Sequence, residues 1–84
     1  MRYTYDPEKR LLALKDHGCD LEDAKLVIES ENTVDYGEQR FVTVGMLRGE
    51  VVVVITKETD DEIRSISMWK ADRNEQKIYY NNLR

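Results

Sequence analysis

Two rhythms of apolar and polar positions divide the chain into a helical first part and a stranded second part. From Glu8 to Gly18, Leu11, Leu12 and Leu14 recur among charged residues, which predicts an amphipathic helix with those leucines as its buried stripe. Asp6 stands before it as a cap, Pro7 suits the first helical position, Glu8 sits at the positive end of the dipole, and Gly18 stops the helix. Asp20 opens a second helix, and Asp23 three residues later echoes a capping box. Leu21, Ala24, Val27 and Ile28 form its apolar side. The stretch from Glu29 to Glu38 has no period and reads as a loop.

The period then becomes that of strands. Arg40 to Leu47 is a strand, Arg48-Gly49 a tight turn, and Val51 to Thr56 (VVVVIT) a segment apolar on both faces, as a central strand is. Lys57 to Asp61 turns the chain, and Glu62 to Trp69 makes a further strand. Arg2 to Tyr5, short and alternating, is one more at the start. Asp72 and Glu75 form a D-x-x-E capping box that opens a last helix, with Ile78 and Tyr79 as its apolar anchors. Short turns make the three consecutive strands an antiparallel meander, with Val51 to Ile55 its most buried segment. The expected fold class is α+β: an antiparallel sheet of the N-terminal strand plus the meander, two N-terminal helices and one C-terminal helix. The helices are expected on one sheet face, leaving the other partly open.

Length and composition narrow the picture. Eighty-four residues make a single domain spanning 1–84. Cys19 is the only cysteine, so it cannot bridge within the chain, and no Cys/His cluster has metal spacing. No apolar run reaches membrane-spanning length and the N-terminus lacks a signal peptide's apolar stretch, so no membrane partner and a cytoplasmic location are expected. Charged residues make up 36% of the chain with a net charge of −4. That balance argues against a dedicated nucleic-acid binder while allowing a local basic patch, and it suits a basic protein partner.

The candidate chemistry is sparse. Strict alternation along the strand from Glu62 puts Ile63, Ser65, Ser67 and Trp69 on one face, with Arg64, Ile66 and Met68 on the other. Two serines make a poor core, so the face of Trp69 is expected to be the helix-free one, with the ring half exposed beside Lys70. Trp69 is then either a ring packed over the edge of the last helix or a stacking platform for a base, with Lys70 or Arg73 near a phosphate. His17 is either a last-turn residue complementing the helix dipole or a general acid or base. Arg40 and Arg64 are either ion-paired strand arginines or groups that meet phosphate charge. There is no Gly-rich phosphate loop, Ser/His/Asp set or helical metal motif.

Four segments carry a wider likeness. They are Tyr5-Asp6-Pro7-Glu8-Lys9; His17-Gly18 with Leu21-Glu22-Asp23-Ala24; Gly37-Glu38-Gln39-Arg40 running to Val44-Gly45; and Ile63-Arg64-Ser65-Ile66-Ser67 with Lys70-Ala71, then Glu75 and Tyr79. In that order and spacing the chain resembles the BrnT family, ribonuclease toxins of a type II toxin–antitoxin system. The resemblance implies a RelE-like fold in which helices pack against an antiparallel sheet whose other face meets RNA. It implies RNA cleavage without a metal or other cofactor, and neutralisation by a small ribbon–helix–helix antitoxin through which alone the complex reaches operator DNA. His17, Arg40 and Arg64 match the family's catalytic candidates, with Lys70 a further basic position.

Four departures stand beside the likeness. Asp16 occupies the place of a family lysine, Ala13 that of an asparagine, and Lys57-Glu58 follow Thr56 where an arginine is common. The strand ends Ser67-Met68-Trp69 where the family tends to Ser-Ala-Arg, and a neutral ring cannot neutralise phosphate. Two readings follow: an active ribonuclease toxin, or a family-shaped protein with weak or no catalysis that binds its partner.

Overall fold

In the computed structural model, which describes residues 2–30, 33–36 and 41–82, strand β4 (Glu50–Glu58) is the middle strand of a five-stranded sheet. The elements preceding it are β1 (Arg2–Tyr5), α1 (Pro7–His17), a 3-10 turn (Leu21–Asp23), α2 (Ala24–Ile28), β2 (Val34–Tyr36) and β3 (Phe41–Leu47). After it come β5 (Glu62–Lys70) and α3 (Arg73–Asn81), and the sheet order is β1-β5-β4-β3-β2. The expected meander is β3-β4-β5, antiparallel throughout. Arg48 and Gly49 both have positive φ (49° and 82°), the backbone a two-residue hairpin with right-handed strand twist requires.

Two additions complete the sheet. The N-terminal strand joins β5 in parallel, so the sheet is mixed rather than wholly antiparallel. The segment read as a loop contains β2, antiparallel to β3. At three residues it is too short for a period to show. Arg40 lies outside the described residues.

Strand β4 divides two apolar clusters. Val52 and Val54 join Met68, Ala13, Cys19, Leu21, Ala24 and Val27 on one side. Val51 and Val53 join Val44, Ala71 and Tyr79 on the other, with Val42, Met46 and Trp69 at the margin. Successive valines thus serve different layers, which is why the run is β-branched on both faces. The helices are therefore not all on one face: α3 packs against the face opposite α1 and α2. The link is short. Ala71 N–H donates to Val51 O at 2.9 Å, and Asp72 then opens α3 with a complete capping box. Only α3 can cover Val44 and Val53, and it does so with buried Tyr79, while Ile78 faces solvent.

Helix α1 also departs from its expectation. Its leucines are not the buried stripe: Leu11 is 67% exposed, Leu12 56% and Leu14 39%, and only Ala13 is buried. A small side chain facing the sheet lets the helix backbone lie close to it. The second helical segment keeps its expected core residues but begins as a 3-10 turn, with Asp20 accepting from Glu22 N–H at 3.0 Å. Gly45 is buried where α2 ends, and a Cβ there would lie 2.8 Å from Val27 O and 2.9 Å from Ser30 Oγ. Only a bare backbone fits that crossing.

Arg10 ties α1 to the 3-10 turn through Asp20, with Nε–Oδ1 at 2.7 Å and a second bond at 2.9 Å. The guanidinium holds the Asp20 carboxyl below the usual carboxylate range. A depressed folded-state value stabilises above the unfolded-state titration and is lost as pH falls through the folded one. Asn keeps the capping acceptor but not the charge. Asp20→Asn is therefore expected to lower stability at neutral pH, modestly because the pair is part-exposed. Chemical denaturation should show the gap to wild type closing as pH falls through the depressed folded-state titration of Asp20.

Candidate functional site: a bulge turns Arg64 to the face of Trp69

Strand β5 does not alternate strictly. Val54 pairs with Met68 and Ile55 with Ser67, but Thr56 pairs with Ser65 and Lys57 with Arg64. Ile66 is the extra residue of a bulge, and it reverses the faces of everything before it. Ser65 therefore joins buried Thr56 on the side of α1 and α2, and Arg64 turns to the side of Ser67 and Trp69. Strict alternation had placed Arg64 with Met68, and the bulge overturns that.

The Trp69 face is not helix-free, since α3 lies on it. The ring is half-buried as expected, and Nε1–H donates to both Glu75 carboxylate oxygens at 3.2 and 3.1 Å. Glu75 Oε1 also accepts from Asp72 N–H at 2.9 Å. The capping box read from the sequence thus carries a second task, holding the indole, and nothing in the D-x-x-E spacing announces it. Helix α3 covers the Val44, Val51 and Val53 end of this face. It leaves Ile55 and Ser67 half-buried, and Lys57 and Arg64 exposed.

His17 arrives from the other layer. It is the last residue of α1, where Gly18, at φ 66°, turns the chain; Gly18 N–H donates to Leu14 O and Cys19 N–H to Ala13 O. The exposed imidazole stands at the β5 edge with its ring centroid 6.4 Å from that of Trp69, tilted by 52°. Strand β1 ends at Tyr5 opposite Ser65, so this part of β5 has no strand on its outer side. A groove of about 210 Å³ opens there between Lys9, Leu12, Asp16 and His17 on α1 and Ile66 and Ser67 on β5. A larger hollow of about 600 Å³ lies by Tyr3, Tyr5 and Lys25 on the α2 side and contains none of the candidate site residues.

The other candidates do not gather here. Lys70 pairs in register with Val52, on the side of α1 and α2, and its ammonium is held by Glu50 at 3.3 Å. Arg73 is exposed in the first turn of α3, with no ion pair among the described residues. Burial pushes the Cys19 thiol up, which keeps it protonated and unreactive. Among the described residues, no group of three or more His, Cys, Asp or Glu side chains is placed to hold a metal ion. No helix among them is long and apolar enough to cross a membrane.

The sequence matches the family described as "ribonuclease toxin, BrnT, of type II toxin–antitoxin system" over residues 5–75. The chain belongs to the BrnT family. The match runs from the last residue of β1 to the Glu75 that holds Trp69, so it spans every element that shapes the site. Membership in the BrnT family carries the ribonuclease-toxin class and a protein antitoxin as partner. A comparison with curated proteins finds no match. Of the positions at which this BrnT chain departs from the pattern, Ala13 and Asp16 line the groove and the Trp69 ring lies 6.4 Å from the His17 ring beside it, while Lys57 and Glu58 lie away from it at the end of β4.

Proposed function

We propose that the chain is a RelE-like toxin that cleaves RNA without a metal and is neutralised by a small ribbon–helix–helix antitoxin. His17 serves as the proton-transfer group. Arg64 meets the charge that develops on phosphate oxygens, with Arg40 as a further cation of the pattern. Trp69 offers an aromatic edge to a base, and Arg73 and Lys70 contact the backbone only at the periphery. The observation that supports this most is the bulge at Ile66, which sets Arg64 on the same face as Ser67 and Trp69, where His17 leans in from α1.

Phosphodiester cleavage adds negative charge to nonbridging oxygens, and fixed cations or backbone amides aimed at it lower the barrier. A base takes the attacking proton and an acid returns one to the leaving oxygen, work suited to a group that titrates near neutrality. The test is purified protein on total RNA with a chelator present. Wild type is expected to cut, and His17→Ala to cut more slowly. Loss of cutting in chelator alone would show that a metal is required.

One feature favours a second reading, a partner-binding protein with little catalysis. Asp16 and Glu75 place carboxylates beside His17 and Trp69, which repels a polyanion. Uncut RNA with antitoxin binding retained would establish that reading.

A further inference from the structure

The outward side of α1 carries a stripe of Glu8, Leu11, Leu12 and Lys15, spaced i, i+3, i+4 and i+7. Its centre lies opposite Ala13, the only buried residue of the helix, and Leu12 on its flank also reaches the rim of the groove over β5. Leu11 and Leu12 are more than half exposed, and Leu14 flanks them. Glu8 and Lys15 are also exposed, and neither has an ion pair among the described residues. The helix dipole accounts for the two charges, an acid in the first turn and a base in the last. It does not account for adjacent leucines at the centre of a solvent-facing stripe, in a chain that is 36% charged.

The stripe is symmetric. The midpoint between Leu11 and Leu12 is also the midpoint between Glu8 and Lys15. A second copy of α1 laid antiparallel across a two-fold axis at that point sets Leu11 on Leu12 twice. It also sets Glu8 opposite Lys15 at both ends. An isologous contact requires self-complementarity of this kind. We propose that the chain forms a two-fold homodimer through α1, with the leucines at the centre and the Glu8–Lys15 pairs at the rim. A different partner would gain nothing from the symmetry, so the stripe favours a second copy.

The contact is small. Seven residues of helix rise span about 10 Å, and such a patch falls short of the ~1,200 Å² of a standard interface. The dimer is therefore a reversible one, filled at high concentration and emptied by dilution. This inference stands whether or not the chain cuts RNA.

Sedimentation velocity on the intact chain over a wide concentration range reads it directly. The mass is expected to rise from 9.9 kDa toward twice that value. Leu11→Asp and Leu12→Asp, both at exposed positions, should weaken association at least about tenfold while the circular dichroism spectrum is unchanged. Glu8→Lys and Lys15→Glu should each weaken it, because each sets like charges opposite one another, and the double variant should restore it. Both reversals also oppose the dipole, so melting curves are recorded alongside. Recovery of association in a doubly reversed, less stable helix reports pairing between copies. A single 9.9 kDa species at every concentration overturns the proposal, as does a dimer that survives Leu11→Asp or a double reversal that restores nothing. A monomeric chain whose Leu11→Asp variant loses antitoxin binding would assign the stripe to the antitoxin instead.

Discussion

Arg64→Ala is expected to cut RNA cleavage by at least ~10²-fold, the scale seen when one preorganised donor is removed from a developing oxyanion, while leaving the fold intact. Both halves of that expectation follow from where the side chain is. Arg64 is exposed, forms no ion pair among the described residues, and stands on the face that α3 leaves uncovered. Removing it empties no core and strands no buried carboxylate, so the unfolding free energy should change by no more than a surface substitution changes it, within about 0.5 kcal/mol. Arg64→Lys should recover only part of the rate, because an ammonium restores the charge but not the two-pronged geometry. Steady-state cleavage of a defined RNA by the three proteins is the measurement. Equal rates for wild type and Arg64→Ala would remove Arg64 from the site.

The largest expected loss of stability comes from one methyl group. Gly45→Ala places a Cβ within 2.8 Å of the Val27 carbonyl oxygen, 2.9 Å of Ser30 Oγ and 3.0 Å of Val27 Cγ1. A flexible hydroxyl could turn away. A helix carbonyl cannot, because Val27 O already accepts from Ser30 Oγ at 2.6 Å and from Ser30 N–H at 3.2 Å. The end of α2 must therefore lift off β3, and it takes with it the fully buried Val27. Overpacking of this kind costs about 1–3 kcal/mol, which in a domain this small lowers the melting temperature by roughly 5–20 °C. Differential scanning calorimetry of the Gly45→Ala protein decides it. A melting temperature equal to wild type would mean that α2 rides more loosely on the sheet than this crossing implies.

The parts of the fold legible in the sequence are those fixed by local chemistry. Asp72 with Glu75, Gly18 after His17, and Arg48-Gly49 each name a cap or a turn, and each is found where its residues put it. The Val51 to Val54 run identifies a strand with a core on both sides, because β-branched residues on both faces suit no other place. Relations between elements were not legible. Three leucines predict that α1 has an apolar side, but packing against a crowded sheet selects Ala13 instead. A two-residue link after β5 gives no sign of which face α3 will take.

The candidate site was legible as residue types and not as geometry. His17, Trp69 and Arg64 stand out by chemistry alone, and the family pattern names two of the three. That Arg64 shares a face with Trp69 depends on one unpaired residue, Ile66, whose side chain looks like any other in the alternation. The hold of Glu75 on the indole was hidden for a different reason: the same carboxylate is already explained as a cap.

That unpaired residue also makes β5 unusual in genetic terms. In most strands the loss of one codon is ruinous, since a one-residue slip sends every side chain beyond it to the opposite face. Codon 66 is a spare. Its loss would let Ser67 follow Ser65 directly along a regular ladder against Ile55 and Thr56, with both faces unchanged and Arg64 drawn about 3.3 Å nearer Trp69. A gap at this position among related chains would then mark a tightened site rather than a broken strand, and counting residues outward from Trp69 would misname the arginine.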